Sequence, residues 1–198
     1  MTAFDLSAFS APLVVPELRS GPVLLRPFGL FDLPLVRQAA ADPYIPTITS
    51  VPAVYSDAGG RAFIDRQHAH ATEGHGYPFV IASREDPGRG LGSLGLWLRE
   101  IEGGRAALGY WLVPAARGNK LAASALRGAV TFAFEVLGIP RLHLYIEPWN
   151  VASLRTAECA GFVQEALLRG WERFDHEQHD AYSYALLQKE WDARTARP

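Results

Sequence analysis

The sequence predicts an α+β fold built on one mixed sheet, and three observations carry that prediction. Along the chain, segments of period two and segments of helical period follow one another as strand, two helices, three strands, helix, strand, helix, two strands. The three central strands are separated by PGRG and EGGR, compositions that make hairpin turns. The length, 198 residues, suits one sizeable core and is short for two ordinary domains, so one domain over 1–198 is expected.

Each element follows from local chemistry. Residues 1–12 carry no period and are expected to lie as an extension on the surface or on a partner. The apolar run 23–28 is the first strand, and FDLPLVRQAAAD is a helix stopped by Asp42-Pro43. Ser56 is placed to cap a helix running to Thr72, whose apolar face is thin and whose start contains Gly59-Gly60. YPFVIASR, LGSLGLWLREI and AALGYWLV form an antiparallel meander. Leu126, Ala129, Val130, Ala133 and Leu137 then recur at helical spacing until Gly138 and Pro140. In RLHLYIEP, Leu142, Leu144 and Ile146 alternate with His143, Tyr145 and Glu147, as in a strand with one buried face. NVASLRTAECAGF is a short helix with Asn150 as N-cap and Gly161 as its end. Two strands, near residues 162–173 and 181–191, complete the chain.

Composition removes several classes of function. Apolar residues make up 48% and charged residues 20%, the balance of a chain that folds by itself. A net charge of -2 supplies no basic field for nucleic-acid backbone. The single cysteine, Cys159, excludes an intramolecular disulfide framework and a Cys-rich metal site, and no metal is expected. No stretch approaches the roughly 20 apolar residues of a spanning helix, and the start lacks a basic segment followed by an apolar one, so no membrane association and a cytoplasmic location are expected.

The segment GYWLVPAARGNKLAASALRGAV carries the chemistry. It runs strand, loop, helix, with Arg117, Gly118, Asn119 and Lys120 where the helix begins. Free N–H groups and the positive end of a helix dipole bind phosphate, and Arg117 and Lys120 add charge. A diphosphate-bearing cofactor fits such a site; an ordinary strand-to-helix turn with solvated basic residues is the plainer reading of the same letters.

Arg117 and Ala122 match the ends of the pattern Arg/Gln-x-x-Gly-x-Gly/Ala, and with it this segment resembles the coenzyme A loop of GNAT acyltransferases. LLRPF near the start, the GYWLVP strand, and Asn150, Ser153, Gly161 and Phe162 of the late helix resemble the RimJ/RimL subgroup over about residues 22–191. The resemblance implies a three-layer fold, a mixed, mostly antiparallel sheet of about seven strands with helices on both faces. It implies an N-acyltransferase that moves an acetyl group, or a succinyl group, from acyl-coenzyme A to a primary amine by direct attack in a ternary complex. The acceptor class is an amine-bearing small molecule, a peptide or a protein N-terminus, and the resemblance and the aromatic-rich late strands together imply a homodimer.

It also implies site residues. Leu112, Val113, Arg117, Gly118, Asn119, Lys120, Leu121, Ala122, Asn150 and Ser153 would hold the coenzyme, with backbone groups of Leu112 and Val113 serving the pantetheine and the thioester carbonyl. Ser153 is placed as general acid and Glu172, in the following strand, as general base. The bland alternatives are a first-turn hydroxyl for Ser153, a hairpin charge for Glu172 and a simple N-cap for Asn150. ERFDHEQHD gathers Glu172, Asp175, Glu177 and Asp180 where a cationic amine would be welcome, Asp180 matching a structural Asp of the subgroup.

Two departures from the family pattern stand out. Lys120 occupies the fourth loop position, where glycine is usual, and helical backbone angles there would tolerate it. Ala107 replaces a glutamate that many relatives use as a base through water. Both motivate the alternative of a non-catalytic module that binds acyl-coenzyme A or a partner. A succinyl donor would ask for a cation beyond the thioester, for which Arg26, Arg155 and Arg169 are the available choices. GRGLGSLG lacks the third glycine and the helix of a dinucleotide site, and His68, His70 and His75 lack partners at metal spacing.

Overall fold

A computed structural model of the chain describes residues 6–174 and 176–195. Eight strands form one sheet: β1 (Leu18–Ser20), β2 (Val23–Arg26), β3 (Gly76–Ser83), β4 (Gly90–Trp97), β5 (Arg105–Leu112), β6 (Arg141–Ile146), β7 (Val163–Phe174) and β8 (Glu177–Leu187). Their spatial order is β1-β2-β3-β4-β5-β6-β8-β7. Every neighbouring pair is antiparallel except β5 and β6. The short edge strand β1, three residues without a periodic signal, adds the strand beyond the seven in the sequence reading.

The helices are α1 (Leu33–Ala40), α2 (Ile45–Ile48), α3 (Asp57–Thr72), α4 (Leu121–Thr131), α5 (Val151–Ala160) and α6 (Gln188–Thr195). Ser56 caps α3 by accepting from the Gly59 N–H at 3.0 Å, and Asn150 caps α5 by accepting from the Ser153 N–H at 3.2 Å. Gly161, at φ 99°, ends α5 in the left-handed conformation that a side chain would resist. α4 continues through a π-helical turn, Phe132–Val136.

The two faces of the sheet are dressed differently. Phe132, in the extension of α4, packs edge-on against Tyr77 and Phe79, which pair with Leu96 and Leu94 of β4. Trp97 is the neighbour of Leu96 and therefore points to the opposite face, where its ring meets His70 of α3 at 5.2 Å. α4 and α5 thus share one face, and α3 covers the other.

Three expectations are corrected. The expected strand over 181–191 begins earlier and stops at Leu187; α6 follows, its first turn fixed where the Glu190 carboxylate accepts the Leu187 N–H at 3.1 Å and the Gln188 amide donates to the Phe134 carbonyl at 3.0 Å. Leu6, Ser10, Ala11 and Pro12 are exposed, while Phe9 is in the core and the adjoining Leu13 N–H donates to the Ala71 carbonyl at 2.9 Å, which anchors the segment. His143 and Glu147 are buried although the alternation of β6 placed them on an open face. The reason is tertiary: the loop carrying Tyr44 brings its hydroxyl onto Glu147, and the Tyr145 ring and Glu100 crowd His143. Lys120 is treated with the site below.

Candidate active site

β5 and β6 pair only at their first residues, Arg105–Ala107 with Arg141–His143. Beyond that point the two strands separate, and a cleft of about 320 Å³ opens between them. Ser153, Asn150 and Tyr110 line it together with Glu147, Glu172, Tyr44 and Tyr145. The sequence-predicted acid and base, Ser153 and Glu172, therefore share one cavity although 19 positions separate them in a chain that passes through a helix end and a strand.

Tyr110, on β5, faces α5, and its hydroxyl lies 2.7 Å from the Ser153 Oγ. Burial raises the phenol above its ordinary value, so it is a neutral hydrogen-bonding group at any working pH. Asn150 fulfils its N-cap role while lining the cleft, so the two readings of that residue coexist.

Glu172 is aimed by a bulge. Leu168 pairs with Ala181 and Glu172 with His179, so three residues of β7 oppose Asp180. Gly170, at φ 58°, makes the turn, and its N–H donates to the Asp180 Oδ1 at 2.7 Å. Burial, reinforced by the neighbouring Glu147 and opposed by His179, raises the Glu172 carboxyl above the usual carboxylate value. Of the remaining acidic run, Glu177 and Asp180 are exposed and do not line the cleft, and Asp175 lies outside the described residues.

A second carboxylate was missed by the sequence reading. Glu147 is 5% exposed, accepts a hydrogen bond from the Tyr44 hydroxyl, and lies 3.3 Å from the His179 Nδ1. Burial and that carboxylate raise the Tyr44 phenol well above its normal range, and the Asn150 amide works in the other direction. Tyr44 is held in turn through Asp42, whose Oδ1 accepts from the N–H groups of Tyr44 and Ile45 at 2.9 and 3.0 Å. No local signal marks this group, since Tyr44, Glu147 and His179 meet only through the sheet.

The loop before α4 departs from expectation in three respects. Lys120 adopts φ 57°, ψ 13°, the left-handed region, rather than helical angles. The turn needs that conformation to swing the chain into α4, which explains the usual glycine and makes Lys120 a strained N-cap. Arg117 is not wholly free for phosphate: its guanidinium donates to the Asp42 Oδ2 at 2.6 Å and to the Leu112 carbonyl at 3.0 Å, while half of its side chain remains exposed. The Val113 N–H is taken by the Leu91 carbonyl at 3.0 Å. By the alternation of an antiparallel ladder, the Leu112 N–H then turns toward the edge that β6 has left.

What remains at this loop fits an anion. Among the described residues the N–H groups of Gly118, Asn119 and Lys120 have no partner, and those of Leu121 and Ala122 open α4. Nothing stands within 4 Å of the open side of Gly118, which leaves the backbone approachable. Lys120 and Asn119 are exposed there. A second groove, about 460 Å³, lies at the other end of the β5–β6 seam beside Arg105, Arg141 and His143 and shares Tyr145 with the cleft. It contains none of the predicted site residues.

The split between the central strands β5 and β6, followed along the chain by a helix start with free N–H groups, is the arrangement expected of an acyl-coenzyme A-dependent transferase, although none of residues 112–122 is among those lining the cleft. The model of the GNAT acetyltransferase domain matches residues 23–163, and the chain belongs to that family of N-acetyltransferases. It is 26% identical over 167 residues to N-acetyltransferase p20 of Bacillus licheniformis, itself uncharacterized, covering 84% of this chain and 93% of that one. Mycobacterium smegmatis RimJ, solved with a coenzyme A disulfide, superposes with a TM-score of 0.77 at 24% identity, covering 90% of this chain and 89% of RimJ. RimL, the ribosomal L7/L12 α-N-protein acetyltransferase solved with coenzyme A, gives 0.75 at 20%, covering 87% and 98%. At these identities the structural likeness is one of fold. Among the described residues no helix is long and apolar enough to cross a membrane.

Proposed function

We propose that the chain acetylates a primary amine with acetyl-coenzyme A by direct attack in a ternary complex. The observation that carries this reading is the cleft between β5 and β6, which is lined by a hydroxyl pair, Ser153 and Tyr110, and by the carboxylates Glu172 and Glu147. The N–H groups of residues 118–122 and the Lys120 ammonium hold the coenzyme's phosphates, and the Leu112 N–H faces the thioester carbonyl. Arg117 acts mainly by bracing this loop against Asp42.

An alkylamine has a pKa near 10.4 and must lose a proton before it attacks. Glu172 accepts that proton, its raised pKa bringing it closer to the operating pH. The amine nitrogen bonds to the acyl carbon, the C–S bond breaks, and the proton still to be lost by the attacking nitrogen passes through the Tyr110–Ser153 hydroxyl pair to the departing sulfur, so that Ser153 protonates the thiolate and both hydroxyls end neutral. Glu172 thereby takes the part of the glutamate absent at Ala107, which pairs with Trp97 and His143 beside the cleft.

The acceptor is a primary amine, on a small molecule, a peptide or a protein N-terminus. An acetyl donor is favoured over succinyl because the cleft is lined by carboxylates and by neither lysine nor arginine. Arg26 is buried against Asp32 at 2.7 Å, and Arg155 and Arg169 are exposed away from the cleft. Thiol release from acetyl-coenzyme A in the presence of amines, compared with succinyl-coenzyme A, tests the proposal. Release with acetyl but not succinyl donor is expected; amine-independent release alone would overturn it.

A further inference from the structure

The acceptor side of the cleft has a floor of unusual construction. On the α3 face, β4 and β5 meet in the pairs Ser93–Trp111, Gly95–Gly109 and Trp97–Ala107. The central pair has no side chains. The Trp97 indole leans into that space: a Cβ on Gly95 would stand 2.4 Å from two of its ring carbons and 2.6 Å from its nitrogen. A Cβ on Gly109 would stand 3.9 Å from the same nitrogen. The indole is part-exposed, it is fixed from the side by the edge of His70, and it lines the cleft together with Phe63 and Tyr44. Glu147 and Glu172 line the same cleft.

An aromatic floor in a cleft that also holds two carboxylates has the chemistry of a site for a cation attached to a ring. We propose that the acceptor carries its amine on a short chain from an aromatic ring, the ring resting on the Trp97 indole, which itself lies in the space left by Gly95 and Gly109, and the amine reaching Glu172. The inference rests on the reading of this cleft as the acetyl-transfer site. Two sources share the chemistry, a free arylalkylamine and the aromatic N-terminal residue of a peptide. The residues that set the preference are Trp97, Gly95 and Gly109, and they act through contact with the ring.

The test measures thiol release from acetyl-coenzyme A with 2-phenylethylamine, the peptide Phe-Gly-Gly, propylamine and spermidine, using the unmodified protein, Trp97→Leu and Gly95→Ala. Ring contact on the order of a well-placed aromatic pair gives kcat/KM for one of the two aryl acceptors about tenfold above propylamine and spermidine. The better of the two names the source. That ratio falls toward one in Trp97→Leu, which keeps an apolar residue on the strand, and in Gly95→Ala, which displaces the indole. Equal rates for aryl and alkyl amines, or a ratio unchanged in Trp97→Leu, overturn the slot and leave amine acetylation standing. No turnover with any of the four amines overturns both.

Discussion

The Tyr110 hydroxyl stands 2.7 Å from the Ser153 Oγ, joining a strand and a helix that flank the same opening. Ser153 is thereby oriented by a partner that is itself neutral and half-buried. Ser153→Ala is expected to lower kcat by about a hundredfold or more, the usual worth of a general acid, with acetyl-coenzyme A affinity changed by less than about threefold. Tyr110→Phe removes the partner and keeps the ring, so a smaller loss, on the order of tenfold in kcat, is expected. Steady-state rates and calorimetric titration of each variant check this.

Glu172 must be ionised to accept a proton, and its carboxyl is raised by burial and by Glu147. Activity therefore rises with pH on a limb displaced upward from that of an ordinary carboxylate, and it is lost on acidification through the raised value. Glu172→Gln should remove that limb and reduce kcat by about two orders of magnitude. A kcat that keeps the same pH dependence in the variant assigns the base elsewhere. Asp180→Ala, which frees the Gly170 N–H and loosens the bulge, should lower kcat more than it raises KM, with partial recovery in Asp180→Asn.

Lys120 holds a left-handed conformation that costs a residue with a Cβ about 1 kcal/mol, partly offset by the extra chain entropy glycine brings to the unfolded state. Lys120→Gly should accordingly raise Tm by about 1–4 °C in a scanning calorimeter. Lys120→Glu reverses the charge at the helix start, and acetyl-coenzyme A binding should weaken about three- to tenfold, the effect fading in high salt.

Asp42 gathers three donors, the N–H groups of Tyr44 and Ile45 and the Arg117 guanidinium. Burial works to raise its pKa, but those hydrogen bonds outweigh it and the net effect is a lowering. A depressed carboxylate contributes stability that is present above the unfolded value, about 3.9, and lost as pH falls through the folded value. Asp42→Asn should cost about 2–4 kcal/mol at pH 7 and make stability less sensitive to acid below pH 4, as read by urea unfolding at several pH values. Because Asp42 holds the turn carrying Tyr44, activity should fall as well.

Local pattern was enough to determine the strands of the meander, the caps Ser56 and Asn150, the stop at Gly161 and the helix start that follows Arg117, since hydrophobic period, capping chemistry and turn composition act within a few residues. That Ser153 and Glu172 share one cleft was legible because family resemblance supplied a spacing that composition lacks. The tertiary structure decided the rest. The parting of β5 from β6 after three paired residues creates the cleft, and no local period encodes where a parallel pair ends. Glu147, Tyr44 and His179 come from three distant segments, so their contact is a property of sheet order. The left-handed angle at Lys120 and the capture of Arg117 by Asp42 follow from how the loop closes against α2, a matter of backbone geometry and long-range charge pairing. What a residue is can be read in one dimension; what it faces is fixed by packing.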